Sequence, residues 1–77
     1  MEGIKMTTKY ELQYIDMIRK CKRYRKCQKI TQSEVADSMN VYQQDICRIE
    51  NFNTIPSVVK FIEYLDSIGL KIVLKEV

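Results

Sequence analysis

Thr31-Gln32-Ser33-Glu34-Val35-Ala36-Asp37-Ser38-Met39-Asn40-Val41-Tyr42-Gln43-Gln44-Asp45-Ile46-Cys47-Arg48-Ile49-Glu50-Asn51 is the stretch on which the fold turns. It opens with a capping box: the Thr31 hydroxyl can accept from the Glu34 backbone N–H while the Glu34 carboxylate accepts from that of Thr31. A short helix over 32–39 is expected, with Val35, Ala36 and Met39 as its inward stripe. Asn40 then punctuates the chain, because Asn is the next best residue after Gly at a left-handed turn position. Val41 packs in the turn, and a further helix over 43–51 faces Ile46 and Ile49 inward. Two short helices separated by about three residues make a helix-turn-helix geometry.

Working outward, Thr8-Lys9-Tyr10-Glu11 is a second capping box. It predicts a helix over 9–27 with Tyr10, Tyr14, Met17, Ile18, Cys21 and Tyr24 at helical spacing. On the other side, 51–56 has no periodicity and reads as a loop. Pro56 at a first helical position starts a fourth helix over 57–68. Its stripe is Val58, Phe61, Ile62, Leu65 and Ile68, and Gly69 caps it. The tail then changes period: Leu70, Ile72 and Leu74 alternate with Lys71, Val73 and Lys75, which predicts a strand over 70–76. One strand in a helical chain has no partner, and unpaired backbone groups are costly when shielded from water. The remedy favoured here is the same strand of a second copy across a two-fold axis. Residues 3–6 are a shorter alternative partner, and a dimer that outlives the tail would point to Val59 and Tyr64.

The chain has 77 residues, enough for one domain over 1–77. Its net charge is +3, but seven of its thirteen bases (Arg19, Lys20, Lys22, Arg23, Arg25, Lys26, Lys29) fall within eleven positions without an acid. That segment is +7 and the remainder −4, an asymmetry that calls for an anionic partner. Hydrophobic residues at 45% exclude a disordered chain. No apolar run approaches the ~18 residues of a membrane span, and the N-terminus lacks a signal-peptide core. Without His, the usual metal ligand and the usual neutral-pH base are missing. Cys21, Cys27 and Cys47 form no C-x-x-C pair, which fits reduced thiols in a cytosol. No enzyme, metal or cofactor is expected.

The segments Ile30-Thr31-Gln32-Ser33-Glu34-Val35-Ala36, Val41-Tyr42-Gln43-Gln44-Asp45-Ile46-Cys47-Arg48-Ile49-Glu50-Asn51 and Pro56-Ser57 resemble the lambda-repressor/Cro-type helix-turn-helix family (XRE family). They look like its L-T-Q-x-E-L-A, V-S-Q-x-x-I-S-R-I-E-N-G and N-P-S segments without insertions, over about Met17 to Gly69. The G-L-K-I-V-L tail is further similar to the dimerising strand of HipB-type antitoxins. The resemblance implies an all-α, four-helix, lambda-repressor-like DNA-binding domain, plus a C-terminal strand (Leu70, Ile72, Leu74) that pairs across a dimer. It implies a cytoplasmic protein encoded by a bacterium or phage.

By that resemblance, Gln32 lies near the DNA backbone, and Gln43 and Gln44 open a recognition helix. A Gln amide can donate and accept together, as adenine N6 and N7 require, and a free helix N-terminus suits phosphate. Arg48 shares a face with Gln44 and matches guanine or phosphate. Cys47 lies close to that face, either as a redox-sensitive thiol or as a small residue tolerated beside a groove. Lys26 and Lys29 are the phosphate contacts best placed beside the motif, with Asn53 a further contact. Arg25 and Glu50 match an internal ion pair of the family. Three departures stand out. Asn40 replaces the turn glycine. Phe52 replaces the glycine after E-N, so the loop would turn through Asn51 or Asn53. Tyr42 replaces the Ser or Thr cap and sets a phenol against DNA. The expectation is a homodimeric, sequence-specific regulator, most simply a repressor on an inverted repeat of double-stranded DNA. The alternative is an antitoxin whose main ligand is a toxin protein and which autoregulates its operon.

Overall fold

The computed structural model describes residues 8–77, so the alternative strand over 3–6 lies outside the described residues. Four helices follow in order: α1 (Lys9–Cys27), α2 (Gln32–Met39), α3 (Gln43–Glu50) and α4 (Val58–Ser67). Their starts follow from side chains that accept otherwise unpaired N–H groups. Thr8 and Thr31 each close a reciprocal capping box, with Glu11 and with Glu34. Ser57 accepts from the Lys60 N–H, so the fourth helix begins after Ser57 and Pro56 stands outside it. Tyr42 offers α3 no side-chain cap. Instead the Asp45 carboxylate accepts from the Tyr42 N–H at 3.1 Å.

All four helices end in one way. The N–H of Ile30, Val41, Asn53 and Leu70 each reaches back five residues, to the carbonyls of Arg25, Ala36, Arg48 and Leu65. The preceding N–H reaches back three in each case. This is the Schellman arrangement, and it requires a left-handed residue just past the helix. Lys29 (φ 61°), Asn40 (58°), Phe52 (63°) and Gly69 (87°) take that place. The loop after α3 therefore turns through Phe52 itself, and neither Asn51 nor Asn53 is needed as the pivot. The residues that follow Lys29, Asn40 and Gly69, namely Ile30, Val41 and Leu70, pack against the core.

The core gathers Ile18 and Cys21 of α1, Val35 and Ala36 of α2, Ile46 and Ile49 of α3, and Phe61, Tyr64 and Leu65 of α4, with Ile68 beyond it. α2 lies between α3 and α4, while α1 packs on α3. Two stripes sit differently from their sequence-based placement. On α1, Tyr10, Met17 and Tyr24 are exposed, whereas Arg25 is buried as its expected pairing with Glu50 requires, because the guanidinium finds that carboxylate inside. On α4, Val58 and Ile62 are exposed while Tyr64 is wholly buried, so Tyr64 takes no part in an outer surface.

No strand occurs among the described residues, and the expected strand over 70–76 is not seen. Leu70 is consumed by the α4 cap, and a ladder needs a neighbouring extended backbone, which the described chain does not supply. Ile72 and Leu74 lie exposed beyond it. No described helix is long and apolar enough to cross a membrane.

Candidate nucleic-acid interface

α3 divides cleanly into two sides. At about 100° per residue, Ile46, Ile49 and Glu50 share the inward side and are buried. Gln44 and Arg48 are exposed on the outward side, with Cys47 half-buried beside them, and Gln43, one heptad before Glu50, is exposed because it opens the helix. Tyr42 stands exposed just before the helix. Arg48 lies 3.5 Å from Asp45 in a solvent-exposed pair, a contact loose enough to yield to a better anion. Cys47 Sγ accepts from Asn51 Nδ2 at 3.1 Å. Asn53 is half-buried and held by its backbone, whose N–H donates to the Arg48 carbonyl at 2.9 Å. α3 thus presents to solvent two carboxamides at its start, which both donate and accept, and in its last turn a guanidinium, which only donates.

The inward side is anchored on Glu50, which is 2% exposed. Its Oε2 accepts from Arg25 Nε at 2.8 Å and from the Tyr64 hydroxyl at 2.6 Å. Its Oε1 accepts from Arg25 Nη2 at 2.8 Å and from Gln32 Nε2 at 3.0 Å. Arg25 Nη1 also donates to the Ile30 carbonyl at 2.6 Å. One carboxylate is thereby bonded to a residue from each of the other three helices. Burial pushes the Glu50 carboxyl up, but the hydrogen bonds from Arg25, Tyr64 and Gln32 outweigh it and hold it below its ordinary value. The converse applies to Tyr64, whose phenol is pushed well up by burial and then by its bond to Glu50. The Arg25 guanidinium is strengthened chiefly by the Glu50 hydrogen bond.

Gln32 is therefore drawn inward. The resemblance implies a place beside the DNA backbone; in the structure its amide nitrogen donates to Glu50, and its exposure is only partial. Arg25 and Glu50 form the buried pair, closed bidentately, which is the strong geometry for guanidinium and carboxylate. Tyr64, offered from the sequence only as an outer dimer contact, is instead a further member of this network. Its signal was present: it stands three residues after Phe61 and four before Ile68, on the buried stripe.

The basic segment is likewise less uniform than its arithmetic. Arg25 is spent inside, Lys20 pairs with Asp16 at 3.0 Å, and the Arg19 guanidinium lies 6.0 Å from the centre of the Phe52 ring. Lys22, Arg23, Lys26 and Lys29 have no ion pair among the described residues. Lys26 and Lys29 are exposed at the end of α1, beside the start of α2. In comparisons with protein families, curated proteins and solved structures, nothing matches this chain.

Proposed function

We propose that this chain is a sequence-specific DNA-binding regulator of the helix-turn-helix kind, acting by occupancy as a homodimer joined through its C-terminal segment. One observation carries the reading: α3 exposes Gln44 and Arg48 on its outer side and Gln43 at its first position, while its inner side is locked to every other helix through Glu50. A reading element needs that division, since base edges are selected by polar side chains held on a rigid helix. Lys26 and Lys29 supply phosphate contacts, which position the protein without choosing a sequence. Recognition helices in two copies would enter successive major grooves about 34 Å apart.

Gel shifts on the DNA around the gene, at several salt concentrations, test the reading. Gln43→Ala with Gln44→Ala is expected to abolish sequence preference while leaving thermal stability unchanged. Lys26→Ala is expected to weaken all sequences alike and to lower the salt slope by about 1. Absence of any sequence preference in the parent chain overturns the reading. Copurification of a stoichiometric toxin in place of DNA would favour the antitoxin alternative.

A further inference from the structure

Two apolar surfaces are left bare, and they match one another. α4 carries more apolar surface than its buried stripe uses. Beside its buried stripe, Val58 (70% exposed), Val59 (67%) and Ile62 (48%) form a second one on the outer side. Past Gly69, Val73 (76%) and Leu74 (91%) are also exposed, together with Ile72. Both surfaces are bare in one and the same molecule, so the tail does not cover its own helix. The cap explains this. The Leu70 N–H is bound to the Leu65 carbonyl at 2.8 Å, Leu70 packs on the core, and the Gly69 backbone faces the Tyr24 hydroxyl. The tail thus starts from Leu70, which is itself held on the core.

Spacing and charge both fit the tail to that stripe. In an extended chain Ile72 and Leu74 fall on one side, about 6.6 Å apart. Val58 and Ile62, like Val59 and Ile62, are helix-surface neighbours about 5–6 Å apart. Glu63 and Asp66 stand at one edge of the stripe, exposed and without an ion pair among the described residues. Lys71 and Lys75 bracket the tail's apolar triplet from the side opposite Ile72 and Leu74, so that only their long, flexible stems can bring their charge round to the helix. They too lack an ion pair among the described residues. No base interrupts the stripe Val58–Val59–Ile62, so it offers nothing to nucleic acid.

We propose that residues 71–75 of one copy lie across the outer face of α4 of a second copy, reciprocally about a two-fold axis. The proposal deepens the homodimer reading given above and needs no DNA. It replaces strand-on-strand pairing by strand-on-helix exchange. Each copy covers the other's α4 and has its own covered in return, so no open end is left to polymerise.

Sedimentation of the full chain at micromolar concentration is the test. The parent is expected to be a dimer, and both Val59→Glu and Leu74→Glu are expected to be folded monomers by far-UV circular dichroism. These sites are exposed, so neither change touches the core. Glu63→Lys with Asp66→Lys should weaken association several-fold, and adding Lys71→Glu with Lys75→Glu should restore it. A monomeric parent overturns the proposal. So does a Val59→Glu dimer alongside a Leu74→Glu monomer, which would mean that tail pairs with tail. A quadruple charge reversal no tighter than the double one also overturns it. Association is measured without DNA, so its failure is distinct from a failure to bind DNA, which the gel shift reports.

Discussion

Glu50 is the residue on which most depends. Its carboxylate accepts four hydrogen bonds inside the domain, two of them from one guanidinium. Such an ion pair adds little over a well-packed apolar replacement, but removing one partner strands the other. Glu50→Gln leaves Arg25 buried without its counter-charge and is expected to cost about 3–5 kcal/mol in urea unfolding, a large part of what so small a domain possesses. Tyr64→Phe removes one charge-assisted bond and is expected to cost about 2 kcal/mol. The carboxyl also sets an acid limit. Its folded value lies below the ordinary 4.5, so its contribution is complete above that value and is lost as pH falls through the folded one. Urea midpoints at pH 6, 4 and 3 are expected to fall below pH 4.5 in the parent, and to lose this component in Glu50→Gln. A parent midpoint flat down to pH 3 would contradict it.

At the scale of the element, termini decided more than interiors. The two Thr-x-x-Glu boxes were legible because a hydroxyl and a carboxylate three residues apart have one obvious use at a helix start. Gly69 and Asn40 were legible as left-handed residues for the same kind of reason. Lys29 and Phe52 were not, since a side chain with a Cβ resists that conformation by about 1–2 kcal/mol and gives no sign of accepting it. Tertiary packing overrides the preference here: Ile30 is drawn into the core behind Lys29, and the Phe52 ring packs against the core beneath Arg19. Lys29→Gly keeps the backbone and loses no buried contact, so it is expected to raise stability by about 1 kcal/mol, less some entropy of the unfolded chain. Thermal unfolding read against the parent checks it. Phe52→Gly relieves the same strain but forfeits the ring, and is expected to gain nothing. The α4 stripe was misplaced for a different reason. Hydrophobicity ranks Val58 and Ile62 as inward, but only Tyr64 can both fill the core and hand a hydroxyl to Glu50.

For the whole molecule, the helical architecture followed from local signals, whereas the strand expected over 70–76 did not appear. Period-two alternation says that a segment suits extended pairing, and says nothing of where a partner is. Within the basic segment the inward turn of Arg25 was legible through its match to an internal ion pair with Glu50, whereas the contacts of Lys20 with Asp16 and of Arg19 with Phe52 were not singled out. A domain this small gains from association, and linkage ties folding to concentration. The melting temperature is expected to rise with protein concentration for the parent and to be independent of it for Val59→Glu. Differential scanning calorimetry across a hundredfold dilution reads this directly, and a parent melting point that ignores dilution would refute it.

The two-sidedness of α3 has a consequence for descent. Every bond that Glu50 accepts lies on the inner side of the helix, and the exposed residues Gln43, Gln44 and Arg48 hold no other helix in place. Substitution at such exposed positions is nearly neutral for folding. Copies of this gene can therefore drift apart in the residues that α3 displays while every intermediate on the way still folds. A lineage built on this plan would diversify its surface early and its scaffold late.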